Sequence, residues 1–357
     1  MSGKDTVQDG LKQAEAGQAD MPTVEEDYAR QLGQTGPRRK DKKGKKEKVK
    51  KSVGREILEW VLTIVVAVVA ALIIRSFIFE LVRVEGGSMQ DTLENKEIMF
   101  VSKFDYSSTW LSLPFQSNNA AEQAPRITFG TPKRLDVVIC RYPTRGTVNF
   151  VKRIVGMPGE YVSLKGGYLY INGTQVADEA AIEGIPDSYR KGGIAYTYPL
   201  DGSMYYVPKK GDKVVISQDS SADDGISLTI RGDSWNRMRT CLVMKTADGK
   251  TLKLYDRNTD DGSREAREYD ETTRKQLIYT ETVFTYDGKT YTPAEFCKQY
   301  PDLIGQELTV DEDYYFVMGD HRNNSNDSRS VGALERSAII GHARSVVFPF
   351  NAWRGVK

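Results

Sequence analysis

A chain of 357 residues with 39% hydrophobic content is long enough for one or two domains and too polar for a polytopic membrane protein. Its 50 Lys and Arg nearly balance 49 Asp and Glu, but the net charge of +1 hides a basic block: Arg38, Arg39, Lys40, Lys42, Lys43, Lys45, Lys46, Lys48, Lys50, Lys51 and Arg55. Cys140, Cys241 and Cys297 are scattered and odd in number, which argues against a disulfide framework or a paired zinc motif, and His321 and His342 leave little for a histidine metal site.

Residues 1–54 are polar and lack hydrophobic periodicity, as expected of a disordered tail. Residues 60–74 read WVLTIVVAVVAALII, apolar except for Thr63, and Phe77-Ile78-Phe79 extends the run. Residues 55–80 are therefore expected to form a transmembrane anchor of about 20 spanning residues. Too many residues precede it for a cleaved secretory signal. The basic block beside it predicts a cytoplasmic N-terminus and an extracytoplasmic domain after residue 79. In that position the lysines suit orientation and contact with anionic lipid, not nucleic acid.

Beyond the anchor the texture is β. Residues 97–103, 135–141, 161–164 and 313–318 are short runs of strand-favouring residues. Gly166-Gly167 and Asn172-Gly173 flank Tyr168-Leu169-Tyr170-Ile171, as in tight hairpins. Residues 177–309 are longer and more charged than a linker inside a compact domain should be, so they are expected to form an inserted, β-rich subdomain between two halves of a core, 81–176 and 310–357. Within the insertion, Asp248-Gly249 predicts a hairpin turn. Thr292-Pro293-Ala294-Glu295 predicts a helix start with a capping box and proline at the first position. The strand-like setting of Cys140 marks it as a core residue.

The chemistry is concentrated in a few boxes. Gly86-Gly87-Ser88-Met89 places a serine in a glycine-opened loop shortly after the anchor. Further on, Phe150-Val151-Lys152-Arg153-Ile154-Val155 carries a lysine within an apolar strand that stops at Pro158-Gly159. On a solvated face that lysine is only surface charge. On a buried face its ammonium loses hydration, and the neutral amine can take the proton of a serine hydroxyl. Serine–lysine pairs replace histidine-based triads in this way.

With these boxes the chain resembles the bacterial type I signal peptidases, membrane-anchored serine–lysine endopeptidases that remove signal peptides from exported proteins. The resemblance covers the anchor, residues 84–93, the strand at 136–143, residues 152–160 and Gly319-Asp320-His321-Arg322-Asn323-Asn324-Ser325-Asn326-Asp327-Ser328-Arg329. It implies Ser88 as nucleophile and Lys152 as general base. It further implies that Ser325 hydrogen-bonds the lysine amine, that Asp327 and Arg329 form a buried ion pair, and that Asp320 and Arg322 brace the same loop, with Met89 and Arg153 as supporting members of their boxes.

The Ser88 N–H is expected to stabilise the oxyanion. Many relatives add a hydroxyl two positions before the serine, where this chain has Gly86. Two further departures are Asp91 at a position usually held by proline and His321 at one usually held by asparagine. His321 is read as a structural substitute, since the dyad is complete without it. Gly202-Ser203-Met204 repeats the serine motif but lacks the lysine box after it, which marks an ordinary turn.

The implied fold is mainly β: one N-terminal transmembrane helix, then an extracytoplasmic antiparallel catalytic domain carrying the insertion. The implied substrates are exported preproteins with small residues before the cut, in the Ala-x-Ala pattern, bound as an extended strand. The implied partners are the bilayer and the secretion machinery, with no nucleic acid, metal or organic cofactor. Self-cleaving serine–lysine repressors resemble the same catalytic fold, but the anchor and the lack of a DNA-reading helix pair speak against them. Non-enzymatic relatives have lost the serine or the lysine, and both are present here.

Overall fold

The computed structural model describes residues 53–90, 92–109, 126–128, 130–142, 148–165, 168–176, 203–258, 268–270, 275–277 and 280–356. The expected polar tail up to residue 52, Asp91, the Gly166-Gly167 pair and Gly202 lie outside them.

The apolar run forms one helix, Val53–Phe77, of 25 residues. Trp60, Val61, Leu62, Ile64, Val66 and Ile74 are all exposed, so apolar side chains face outward on every side and not along one stripe. A helix apolar all round needs an apolar surround. The stretch Val53–Ile74 is long and apolar enough to cross a membrane, its 22 residues rising about 33 Å at ~1.5 Å each.

After the helix the described chain is mostly antiparallel β. One sheet of eight strands runs in the order Phe79–Arg83, Ile98–Ser102, Ile339–Phe348, Val137–Arg141, Asn149–Gly156, Tyr314–Met318, Leu334–Glu335, with Arg354–Gly355 added beside Ile339–Phe348. The Asn149–Gly156 strand has neighbours on both edges, and residues 152–156 are buried whichever face they point to.

On one face Ile154 packs with Val138, Cys140, Tyr315 and Val317. On the other Val155 packs with Tyr314, Phe316 and Met318. Gly156 is where the second face closes, because a Cβ there would lie 2.6 Å from Val162 Cγ2 and 2.8 Å from Phe316 Cβ.

The strands Tyr161–Lys165, Tyr168–Ile171 and Thr174–Gln175 form a meander. Its tight turn is Asn172-Gly173, both residues at positive φ (51° and 80°), with Ile171 paired to Thr174. This sheet continues through Tyr205–Tyr206, which pairs with Tyr161–Lys165. A second sheet of eight strands occupies residues 213–310, in the order Asp233–Ser234, Ile226–Ile230, Lys213–Gln218, Glu307–Val310, Leu242–Lys245, Thr251–Asn258, Thr280–Tyr286, Lys289–Tyr291.

The expected hairpin is present, with Lys245 paired to Thr251 and Gly249 at φ 80°. So is the expected helix, Pro293–Gln299, with Thr292 as N-cap and Glu295 completing the capping box. The apolar face of this sheet is not separate from the first. Val214, Ile216, Leu242, Met244 and Leu308 belong to the same cluster as Val155, Phe316 and Met318. The Tyr314 hydroxyl donates to the Cys241 carbonyl and accepts from the Val243 N–H, each at 2.8 Å. The three cysteines are free and buried.

Candidate active site

Ser88 sits in a short turn between the Phe79–Arg83 and Ile98–Ser102 strands. Gly86 takes φ 89°, a conformation L side chains rarely adopt and glycine reaches without steric cost. The turn is closed by Gln90 N–H on the Gly87 carbonyl (3.2 Å) and by Leu93 N–H on the Met89 carbonyl (2.8 Å). Met89, only 2% exposed, pins it to the core beside Val84, Leu93 and Met99.

Lys152 lies on the central Asn149–Gly156 strand, opposite Val138. It is 2% exposed, so its face of the strand is buried and not solvated. Its Nζ–H donates to Ser88 Oγ at 2.7 Å, and the same distance lets a neutral amine accept the serine proton. Burial pushes the Lys152 ammonium below the usual lysine range; Asp327, Cys140 and Asp320 oppose that shift without reversing it.

The residues of the 319–329 box surround this pair in two ion-paired brackets. Arg153 makes a bidentate contact with Asp320, Nε to Oδ1 at 2.8 Å and Nη2 to Oδ2 at 2.7 Å, and its Nη1 donates to the Leu135 carbonyl at 2.8 Å. Both partners are essentially inaccessible. Arg329 grips Asp327 in the same manner, with Nε on Oδ1 and Nη2 on Oδ2, each at 2.8 Å. Burial alone would raise the Asp327 carboxyl, but Arg329, the Gly319 N–H and the Ser325 hydroxyl hold it below the usual carboxylate range. Arg322 braces the loop through Nε on the Gly319 carbonyl at 3.0 Å.

Ser325 differs from expectation. Its hydroxyl donates to Asp327 Oδ2 at 2.7 Å, while the Lys152 amine donates to Ser88 Oγ and not to Ser325. Ser325 thereby adds a third donor to the Asp327 carboxylate, beside Arg329 and the Gly319 N–H.

In the sequence Thr92 goes unremarked as a site member, Gly319 reads only as part of its box, and His321 only as a structural substitute beside the dyad. The Thr92 hydroxyl donates to Asp320 Oδ2 at 2.6 Å, tying the serine turn to the Arg153–Asp320 pair. Gly319 lets two loops touch, since a Cβ there would lie 2.5 Å from the Ser88 carbonyl oxygen and 2.3 Å from Ser325 Oγ. His321 contacts the serine turn directly: its backbone N–H donates to the Ser88 carbonyl at 3.0 Å, and its Nδ1 lies 3.0 Å from the Gly87 carbonyl. A glycine and an aspartate closing a buried strand were the available signal for the second of these. Nothing local marked Thr92, whereas His321 was marked by its place in the box.

Comparison with known proteins places these residues in a wider pattern. The family model for signal peptidase, peptidase S26, matches residues 57–222 and 246–348. Signal peptidase I T of Bacillus subtilis is 39% identical over 133 residues, 37% of this chain and 57% of that protein. Signal peptidase I of Pseudomonas aeruginosa is 38% identical over 109 residues, 30% of this chain and 35% of that protein. The chain thus spans from about a third to little more than half of the length of these relatives.

Proposed function

Because the chain belongs to the signal peptidase family, peptidase S26, we propose that it is a membrane-anchored serine endopeptidase that removes N-terminal signal peptides from exported preproteins. The observation that carries this reading is the buried Lys152 amine hydrogen-bonded to Ser88 Oγ at 2.7 Å. A lysine held in that way has the two properties a general base needs, contact with the proton to be removed and a depressed pKa.

Lys152 accepts the Ser88 proton as Oγ attacks the scissile carbonyl. The resulting oxyanion faces the Ser88 N–H. Collapse of the intermediate expels the amine of the mature protein, which takes the proton back from Lys152 and leaves an acyl-enzyme on Ser88. Water, deprotonated by the same amine, then releases the signal peptide and restores the serine. The Arg153–Asp320 and Arg329–Asp327 pairs hold this geometry and do not react.

The substrate is an extended segment with small residues before the cut, of Ala-x-Ala type. The anchor sits in the cell membrane with the N-terminus cytoplasmic and the β domain outside, where preproteins emerge from the secretion machinery. Residues 177–309 form a subdomain inserted between the core segments 81–176 and 310–357 and serve substrate selection or partner contact.

The test uses the purified full chain, one signal-bearing preprotein, and Ser88→Ala and Lys152→Ala beside the wild type. Both variants insert into membranes and neither cleaves, and their losses do not add. Lys152→Arg is inactive too, since guanidinium does not deprotonate. Substantial processing by either alanine variant refutes the pair.

A further inference from the structure

We propose that His321 is a positioning residue that locks the one peptide unit whose N–H meets the oxyanion. The proposal rests on the reading of Ser88 as nucleophile. The Gly87 carbonyl and the Ser88 N–H are opposite ends of a single planar peptide, so whatever fixes the carbonyl fixes the direction of the N–H. His321 Nδ1 lies 3.0 Å from that carbonyl. A carbonyl only accepts, so Nδ1 carries the proton and donates it. The same residue's backbone N–H donates to the next carbonyl, that of Ser88, at 3.0 Å. One residue therefore holds the peptide units on both sides of the nucleophile.

The sequence of the turn shows why such a hold matters. Gly86 and Gly87 give the peptide before Ser88 no steric reason to keep its orientation. Gly86 is at φ 89°, and a Cβ there would meet nothing within 4 Å. It also lacks the hydroxyl that would serve as a second oxyanion donor, which leaves the Ser88 N–H with more of that work. Gln90 N–H shares the Gly87 carbonyl at 3.2 Å; it belongs to the same turn and moves with it, whereas His321 reaches in from the 319–329 box. Donation into the carbonyl also polarises the amide and makes its N–H a stronger donor.

The experiment compares His321→Leu, His321→Gln and His321→Asn with wild type on a signal-bearing preprotein, measuring kcat, KM, the pH profile and thermal melting. Asparagine places an N–H as many bonds from Cα as Nδ1, glutamine places it one bond too far, and leucine has none. We expect His321→Leu and His321→Gln to lower kcat about tenfold with KM within about twofold, less than the ~10²–10³ that follows loss of a direct oxyanion donor. His321→Asn recovers most of that loss.

A peptide aldehyde ending in alanine gives the readout that a structural role alone would not move. Ser88 Oγ adds to its carbonyl, the hydroxyl proton passes to Lys152, and the former carbonyl oxygen becomes the oxyanion. Its affinity falls by the same factor as kcat, while that of the product signal peptide does not. The acidic limb of the pH profile stays in place, since the base is Lys152.

Wild-type kcat in both His321→Leu and His321→Gln overturns the proposal, as does failure of His321→Asn to recover a loss shared by folded Leu and Gln variants. If Leu does not fold, the Gln and Asn pair decides alone. Cleavage surviving Ser88→Ala refutes the nucleophile assignment instead, whatever His321 does.

Discussion

Replacing Gly319 with alanine adds one methyl group at the point where the serine turn and the 319–329 box touch. The new Cβ would stand 2.3 Å from Ser325 Oγ, 2.5 Å from the Ser88 carbonyl oxygen and 2.6 Å from Ser325 Cβ. Non-bonded heavy atoms settle near ~3.5 Å, so the Ser88 carbonyl must retreat by about 1 Å. Ser325 has little freedom to yield, because its hydroxyl is held on Asp327 Oδ2 at 2.7 Å. Displacement of Ser88 by that amount stretches its 2.7 Å bond to Lys152 beyond hydrogen-bonding range.

A misplacement of about 1 Å costs about 100-fold in rate, and Gly319→Ala is expected to lower kcat by that order with substrate binding largely kept. Single-turnover cleavage of a preprotein, with thermal melting to verify the fold, measures it. The double variant Gly319→Ala, Ser325→Gly removes two of the three clashes but leaves the one with the Ser88 carbonyl, so it should recover only part of the loss. Gly319→Ala with wild-type kcat, or full recovery in the double variant, would refute the steric account.

Activity should rise with pH through a value below the ordinary lysine pKa of about 10.4, because burial depresses Lys152 and only its neutral amine accepts the serine proton; a limb unchanged when His321 is Asn separates the two groups. The same depression makes protonation of Lys152 costlier folded than unfolded, so stability is lost as pH falls through the native pKa, measurable as a drop in melting temperature that Lys152→Met lacks. Asp320→Ala leaves Arg153 buried without its carboxylate and should cost about 3–5 kcal/mol in denaturant unfolding; a cost under about 1 kcal/mol would show the pair to be replaceable by water. Replacing residues 177–309 with a Gly/Ser linker should prevent folding. Val155, Tyr314, Phe316 and Met318 would lose the larger part of their cluster, the rest being Val162, Leu164, Leu169, Ile171, Val310 and Ala333, at up to roughly 1.5–3 kcal/mol each, about 6–12 at most, against a total stability of about 5–15 kcal/mol. A folded linker variant by circular dichroism would refute the shared core.

That last expectation reverses what the order of the boxes suggested. All of them lie outside residues 177–309, an order equally compatible with an insertion that a short loop could replace. The reason it misleads is physical. Features legible in the sequence are those decided by local chemistry: the Asn172-Gly173 turn needs two positive φ values, the Pro293–Gln299 helix carries its capping box in Thr292 and Glu295, and the apolar run forms the helix Val53–Phe77.

Burial of Lys152 is decided elsewhere, by strands on both edges of its own, contributed by residues 137–141 and 314–318. The lysine box by itself is compatible with a solvated face. The alternation of residues 314–318 between two clusters is likewise invisible as alternation, since all five are buried. A strand whose every position is apolar has two faces to cover, and on theirs Tyr315 and Val317 share a cluster with Tyr106, Val331 and Ala338. Tyr314, Phe316 and Met318 share their cluster with residues of 162–171 and 205–310. The run Tyr314-Tyr315-Phe316-Val317-Met318 thus already implied a second layer, and the segment before it in the chain supplies that layer. The insertion is tied to the site through the strand Tyr314–Met318, which runs directly into Gly319 and Asp320.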